Sequence, residues 1–200
     1  MPRRYYSRRT RVVRPRKKWA SNLSQLVGAQ TSNVAISPPG QAPNTHYVIT
    51  SDLAINKAQS GSPTPVILKC GNFKLKGDMR LYLTSNSTTA AQFAGCIAYI
   101  VYVPEGVQTT ATLVQMHPEW IMAWSPINVD LQYVESGTPV TQNVEKFSMS
   151  SRLKRNLNSG DKVVMLLDLL FVPNAAATST SSISITYQPS IGVQYWTCAN

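Results

Sequence analysis

Nine cationic side chains fall within residues 1–18, and no acid interrupts them: Arg3, Arg4, Arg8, Arg9, Arg11, Arg14, Arg16, Lys17 and Lys18. Guanidinium forks match phosphate oxygens, and a cationic chain gains affinity for a polyanion by releasing condensed counterions. Tyr5, Tyr6 and Trp19 add flat faces on which unpaired bases can stack. No regular spacing of base-reading residues accompanies them, so the expected binding is indifferent to sequence. Arg14, Pro15, Arg16, Lys17 and Lys18 also have the character of a nuclear import signal, a use compatible with the first. A mitochondrial transit peptide is Arg-rich too, but Pro2, Pro15 and the lack of an apolar face argue against one.

A second basic cluster lies in SRLKRNLNSGDK at 151–162, with Arg152, Lys154, Arg155 and Lys162. On a strand Arg152 and Lys154 share a face; on a helix the set spreads. The cluster reads either as a further phosphate contact or as a solvated face or inter-subunit salt bridge.

Catalytic material is thin. The two histidines, His46 and His117, are far apart, and Pro118 breaks any helix that would turn His117-Pro118-Glu119 into a zinc motif. Cys70, Cys96 and Cys198 lack the spacing of a metal knuckle; an odd number of distant cysteines suits a reducing compartment better than a disulfide framework. Cys70 and Cys96, inside strand patterns, read as buried free thiols. GNFKLKG at 71–77 lacks the Gly-Lys-Ser/Thr ending of a phosphate loop and reads as a turn or bulge. Asp168, in the apolar run VVMLLDLLFV, is the most unusual acid, and a buried partner or a subunit interface is its expected use. The reading is of a protein that is not an enzyme, with no catalytic residues, no metal and no cofactor.

The formal net charge of the 200 residues is +10, with 19 Lys and Arg against 9 Asp and Glu. Residues 1–18 supply nine of those cations, so the remainder nets +1. A block of like charge repels itself and makes an interaction arm, not a core. No stretch approaches the roughly 18 consecutive apolar residues of a membrane helix, and no apolar segment follows the basic one as in a secretory signal. Membrane insertion is therefore not expected.

The elements that must carry these residues read as strands. WASNLSQLVGA, from Trp19, suits either the apolar stripe of a short helix or an extended segment whose tryptophan docks on the body. Residues 31–45 have linker chemistry. From Tyr47 onward short apolar or alternating runs follow: 66–75, then 79–84 after a Gly77-Asp78 turn, 96–103, 120–124, 127–134, 162–172, 183–187 and 191–196. Apart from 19–29, only 151–157 invites a helix. Many short strands between Gly, Pro, Ser and Asn spacers predict an all-β sandwich or barrel. The expected organisation is an arm at 1–18, a linker with a short helix at 19–45 and a β domain at 46–200.

RRYYSRRTRVVRPRKK, HPEWIMAWSPI and SRLKRNLNSGDKVVMLL resemble stretches of the coat proteins of circovirus-like, replication-initiator-encoding viruses with circular single-stranded DNA. The resemblance implies a single jelly roll of eight main strands in two four-stranded sheets. It implies a homo-oligomer of sixty copies in an icosahedral T=1 shell, whose arms gather a single-stranded DNA genome. It places the protein in the virion, and in the host nucleus during assembly with a host nuclear import receptor as partner. Trp120, Trp124 and Tyr133, or Tyr195 and Trp196, would serve contacts between copies if they are not ordinary sandwich core, the more common use of such residues. An RNA-virus coat fits the same arm, and a ribosomal or chromatin protein with a basic extension is the cellular alternative.

Overall fold

The computed structural model describes residues 18–38, 45–57, 67–84, 91–134, 146–173 and 181–199. Residues 1–17 lie outside this set. In chain order the elements are β1 (Ala20–Val27), β2 (Gln30–Ile36), β3 (Thr45–Ile55), β4 (Leu68–Thr84), β5 (Ala91–Val103) and α1 (Ala111–Met116). A 3-10 turn (Pro118–Trp120) leads into β6 (Ile121–Ile127), β7 (Asp130–Val134), β8 (Phe147–Leu157), β9 (Lys162–Pro173) and β10 (Ser181–Ala199).

The strands form two layers. One sheet runs β3-β9-β5-β6, antiparallel throughout. The other has β10 and β4 at its centre, with β1 and β2 along the free side of β10 and β7 and β8 along the free side of β4. Apart from β5 and β6, which pair with each other, successive strand positions alternate between the layers; this is the double Greek key of a jelly roll, with eight strand positions in two layers of four. Two positions are split. β1 and β2 follow one register on β10, Val27 facing Ser190 and Gln30 facing Tyr187, so they are one strand interrupted at Gly28 and Ala29. Opposite that interruption stands Pro189, which has no N–H for a ladder and would otherwise be misplaced in a central strand. The fourth position beside β4 is shared, β8 lying antiparallel to its first half and β7 parallel to its second.

Between the layers lies the core, where Phe73, Leu75, Met79, Leu81 and Leu83 of β4 meet Met165, Leu167 and Phe171 of β9. Each such side chain contributes about 1.5–3 kcal/mol on full burial. A smaller apolar cluster lies on the outer side of the four-stranded sheet, where α1 sets Leu113 and Val114 on Val101, Val103, Val164 and Leu166.

Several local expectations are corrected. Of the two readings of 19–29 the extended one holds, as strand β1, and residues 31–36, expected as linker, lie in strand β2; both are held by the ladder to β10. Residues 151–157 belong to strand β8, held by the ladder to β4. Gly77-Asp78 is no turn: β4 passes straight through, and Gly77 is needed because a Cβ there would stand 2.3 Å from the Ser190 carbonyl oxygen of β10. Residues 183–196 form one strand, not two, since the Pro189 gap costs only the pairing opposite Gly28 and Ala29. The run 127–134 divides at Asn128 and Val129, where the chain leaves one sheet for the other.

Candidate nucleic-acid interface

The predicted arm cations Arg3, Arg4, Arg8, Arg9, Arg11, Arg14, Arg16 and Lys17, with Tyr5, Tyr6 and Pro15, lie outside the described residues. Lys18 and Trp19 are described, and they lead directly into β1.

In β4 the pleat sends Phe73, Leu75, Met79 and Leu81 inward and leaves Lys74, Lys76, Asp78 and Arg80 on the outer face. Across the ladder Lys74 stands between Gln194 and Ser150, and Lys76 between Gly192 and Ser148. Gly71 stands between Trp196 and Lys154. A Cβ on Gly71 would come within 2.6 Å of Lys154 Cγ and of the Leu153 carbonyl oxygen, so glycine there lets the lysine stem cross the sheet. The Lys154 ammonium lies 5.1 Å from the centre of the Trp19 ring, and that of Lys74 lies 5.6 Å from the centre of the Trp196 ring. Each exposed cation–π contact is worth about 0.5–1 kcal/mol. Stacking a base on an aromatic ring is worth about 1–3 kcal/mol.

One groove opens on this face, and a second lies at its border with the other sheet, where Tyr102 of β5 reaches it. The first, of about 360 Å³, is lined by Asn72, Lys74, Ser150, Arg152 and Trp196, among others. The second, of about 590 Å³, is lined by Trp19, Lys69, Tyr102, Lys154, Arg155 and Asn156. Of the second basic cluster, Arg152 and Lys154 are exposed. Arg155 instead turns toward the other sheet, its guanidinium 5.6 Å from the Tyr102 ring centre and donating to the Glu119 carbonyl.

The strand pairing gathers charge that is dispersed in the chain. β4 carries Lys69, Lys74, Lys76 and Arg80, and β8 carries Arg152, Lys154 and Arg155, against Asp78 alone, a balance of +6. The rest of residues 19–200 holds three cations and eight acids, a balance of −5. The net charge of +1 is the sum of two unlike regions. Sequence reasoning found the cations of β8 but not those of β4, whose signal, a lysine at every second position of 74–76 followed by Arg80, was present in the alternation.

The remaining chemistry-bearing residues have structural partners. His46 Nδ1 lies 2.9 Å from both oxygens of Asp168, which is 6% exposed, so the carboxylate has the buried partner its position requires. Neighbouring Cys96 faces the core, and burial, with a smaller contribution from the charge of Asp168, pushes its thiol up to about 12. It is a neutral thiol, not a nucleophile. Burial pushes the Cys70 thiol up to about 12 as well, and Cys70, Cys96 and Cys198 are all buried. His117 stacks on Trp120 with ring centres 3.8 Å apart, and its Nδ1 lies 2.9 Å from Glu119 Oε1. That hydrogen bond holds the Glu119 carboxyl below its usual range. Asp161 accepts from the Tyr102 hydroxyl at 2.8 Å and from the backbone N–H groups of Asn158 and Glu105, which ties the start of β9 to the end of β5. Among the described residues no group of three His, Cys, Asp or Glu side chains could hold a metal ion, and no helix is long and apolar enough to cross a membrane.

Of the aromatic residues expected at contacts between copies, Trp124 is 62% exposed at the edge strand β6 and Tyr195 is buried, donating to the Leu53 carbonyl. Trp120 is partly buried beside Tyr102. The side chain of Tyr133 lies outside the described set.

No family model matches the chain, and no curated protein matches it. Among solved structures, the chain is similar to one titled as infectious bursal disease virus Gx strain, at 10% identity and a TM-score of 0.32, over 91% of this chain and 36% of that one. It is also similar to one titled as the Gt strain of that virus, at 8% identity and a TM-score of 0.28, over 100% of this chain and 41% of the other. The chain thus spans well under half the length of either.

Proposed function

We propose that this chain is a structural coat protein that self-assembles into a small icosahedral shell and packages a single-stranded DNA genome through its basic arm. The observation that carries the reading is the segregation of charge: the nine cations of residues 1–18 lead, through Lys18, into a sheet whose two paired strands add a balance of +6. A jelly roll with one cationic side and an acidic remainder can hold a polyanion on one side and turn the other outward. Residues 1–18 gather the genome without reading its sequence, and the sandwich builds the wall. The chain does this without turnover. Sixty copies, residence in the virion, and passage through the host nucleus by way of residues 14–18 and an import receptor belong to the same proposal.

Expression of the full chain and of a form lacking residues 1–18 tests it. Closed particles of about 1.3 MDa before cargo (60 × 22.0 kDa) should protect nucleic acid from nuclease, and the truncated form should give empty particles or none. With nine cations engaged on a single strand, log affinity should fall with log salt at a slope of about −6. A soluble monomer that binds nucleic acid weakly and never assembles would refute the coat reading in favour of a cellular nucleic-acid-binding protein.

A further inference from the structure

We propose that the outer face of the six-stranded sheet is a second, distinct binding site, one that takes unpaired nucleotides by stacking their bases on Trp196 and Trp19. This deepens the function proposed above and rests on it for the identity of the polymer.

Charge alone would make this face a contact for any polyanion. The aromatic groups give it more. Trp196 and Trp19 each stand on the open side of the sheet with a lysine ammonium near the ring, Lys74 at 5.6 Å and Lys154 at 5.1 Å. A base that slides onto the indole displaces that ammonium only as far as the adjoining phosphate. The weaker cation–π contact is thereby exchanged for a stronger stack plus an ion pair. Each ring lines its own groove, of about 360 and 590 Å³, sizes suited to one small-molecule-sized group each. Asn72 in one groove and Asn156 in the other offer amide donors and acceptors to base edges. Between the two rings, Gly71 leaves room for the Lys154 stem, which a Cβ would block.

Connectivity points the same way. Lys18, the last cation of the arm, is covalently joined to Trp19. A strand gathered by the arm therefore meets this face first. In a duplex the base faces are already stacked and only phosphates are presented. The face accordingly discriminates single strands from duplexes.

The test uses the full chain at fixed salt with three probes: a (dT) oligomer, a duplex of equal charge, and inorganic polyphosphate, which has no bases. The (dT) oligomer should quench tryptophan fluorescence and bind more tightly than the other two. Trp196→Ala should weaken (dT) binding about tenfold while leaving polyphosphate unchanged, and Trp196→Phe should restore most of the loss. Lys74→Ala should weaken both. Thermal melting identifies any variant that fails to fold, in which case the Trp196→Phe and Trp19→Ala pair decides. An unchanged ratio of (dT) to polyphosphate affinity in the folded Trp196→Ala and Trp19→Ala variants would overturn the stacking site. Particle assembly, followed in parallel, separates the two proposals. A (dT) preference without particles leaves the stacking site and removes the coat. Particles that protect nucleic acid without any (dT) preference do the reverse.

Discussion

The two sheets of this jelly roll are alike on the inside and opposite on the outside. The four-stranded sheet is covered: Leu113 and Val114 of α1 close over Val164 and Leu166, and the charged group set into that layer, Asp168, has His46 against it. Among the described residues no helix packs on the outer face of the six-stranded sheet, whose outward positions include Lys74, Lys76, Asp78, Arg80, Lys154 and two tryptophans. Covering a sheet face stabilises the fold, whereas leaving it open and cationic contributes little to folding and reserves it for a ligand. The difference makes the covered face a structural one and leaves the open, cationic face as the binding surface proposed above.

Matched substitutions sharpen that contrast. Leu166→Ala on the covered face, where the side chain is 0% exposed, should destabilise by about 2–5 kcal/mol in denaturant melts. Leu23→Ala on the open face, where the leucine is 67% exposed, should cost about 0.5 kcal/mol or less. Equal costs at the two positions would mean that both faces are structural. His46→Ala leaves the Asp168 carboxylate without its hydrogen-bond partner and should cost about 1.5–3 kcal/mol by the same measurement.

The thiols report on the inner sides. Cys70 comes from one sheet and Cys96 from the other, and both are raised from 9.0 to about 12. Above pH 9 the unfolded chain loses these protons while the folded chain keeps them. The thiols' contribution to stability should therefore be constant below pH 9 and be lost between about pH 9 and 12, by about 1.4 kcal/mol per pH unit for each thiol, in addition to the loss from Tyr102 and Tyr187, also raised to about 12. Cys70→Ala and Cys96→Ala should each flatten that slope by a similar amount; a marked inequality would show that the interiors of the sheets differ too. The smallest expected effect on stability is that of Lys74→Ala, within about 0.5 kcal/mol. The same variant should reduce the salt dependence of single-strand binding by about 0.7 in slope, and a change in melting without a change in binding would assign Lys74 to the fold.

Much of this architecture is legible in residue order. Alternation in 79–84 and the apolar runs at 96–103 and 162–172, the second broken only by Asp168 after its opening lysine, mark strands because their pattern is local. What escapes is whatever depends on a distant partner. Gly77-Asp78 has turn composition, yet the glycine is there because the backbone of Ser190 and Ile191 passes too close for a side chain. Pro189 reads as a strand breaker, but its position is compatible with a strand opposite the Gly28 interruption, more than 150 residues away in sequence. The basic face is hidden for the same reason: its lysines lie on two strands that sum to nothing unusual until β4 pairs with β8. The helix α1 gives no sequence signal because six residues are too few for a helical period to show.

One consequence follows from the place of β10. It is the latest of these strands in sequence, and β1, β2 and β4 all pair with it, Ala20 meeting Thr197. As the chain emerges from a ribosome, the strand next to the arm has no ladder to join until residues 181–199 have been made. Such long-range pairing makes for slow folding. It also means that an unfinished chain carries residues 18–36 without the central strand they pair with, so the proposed basic face is complete only once β10 has been made.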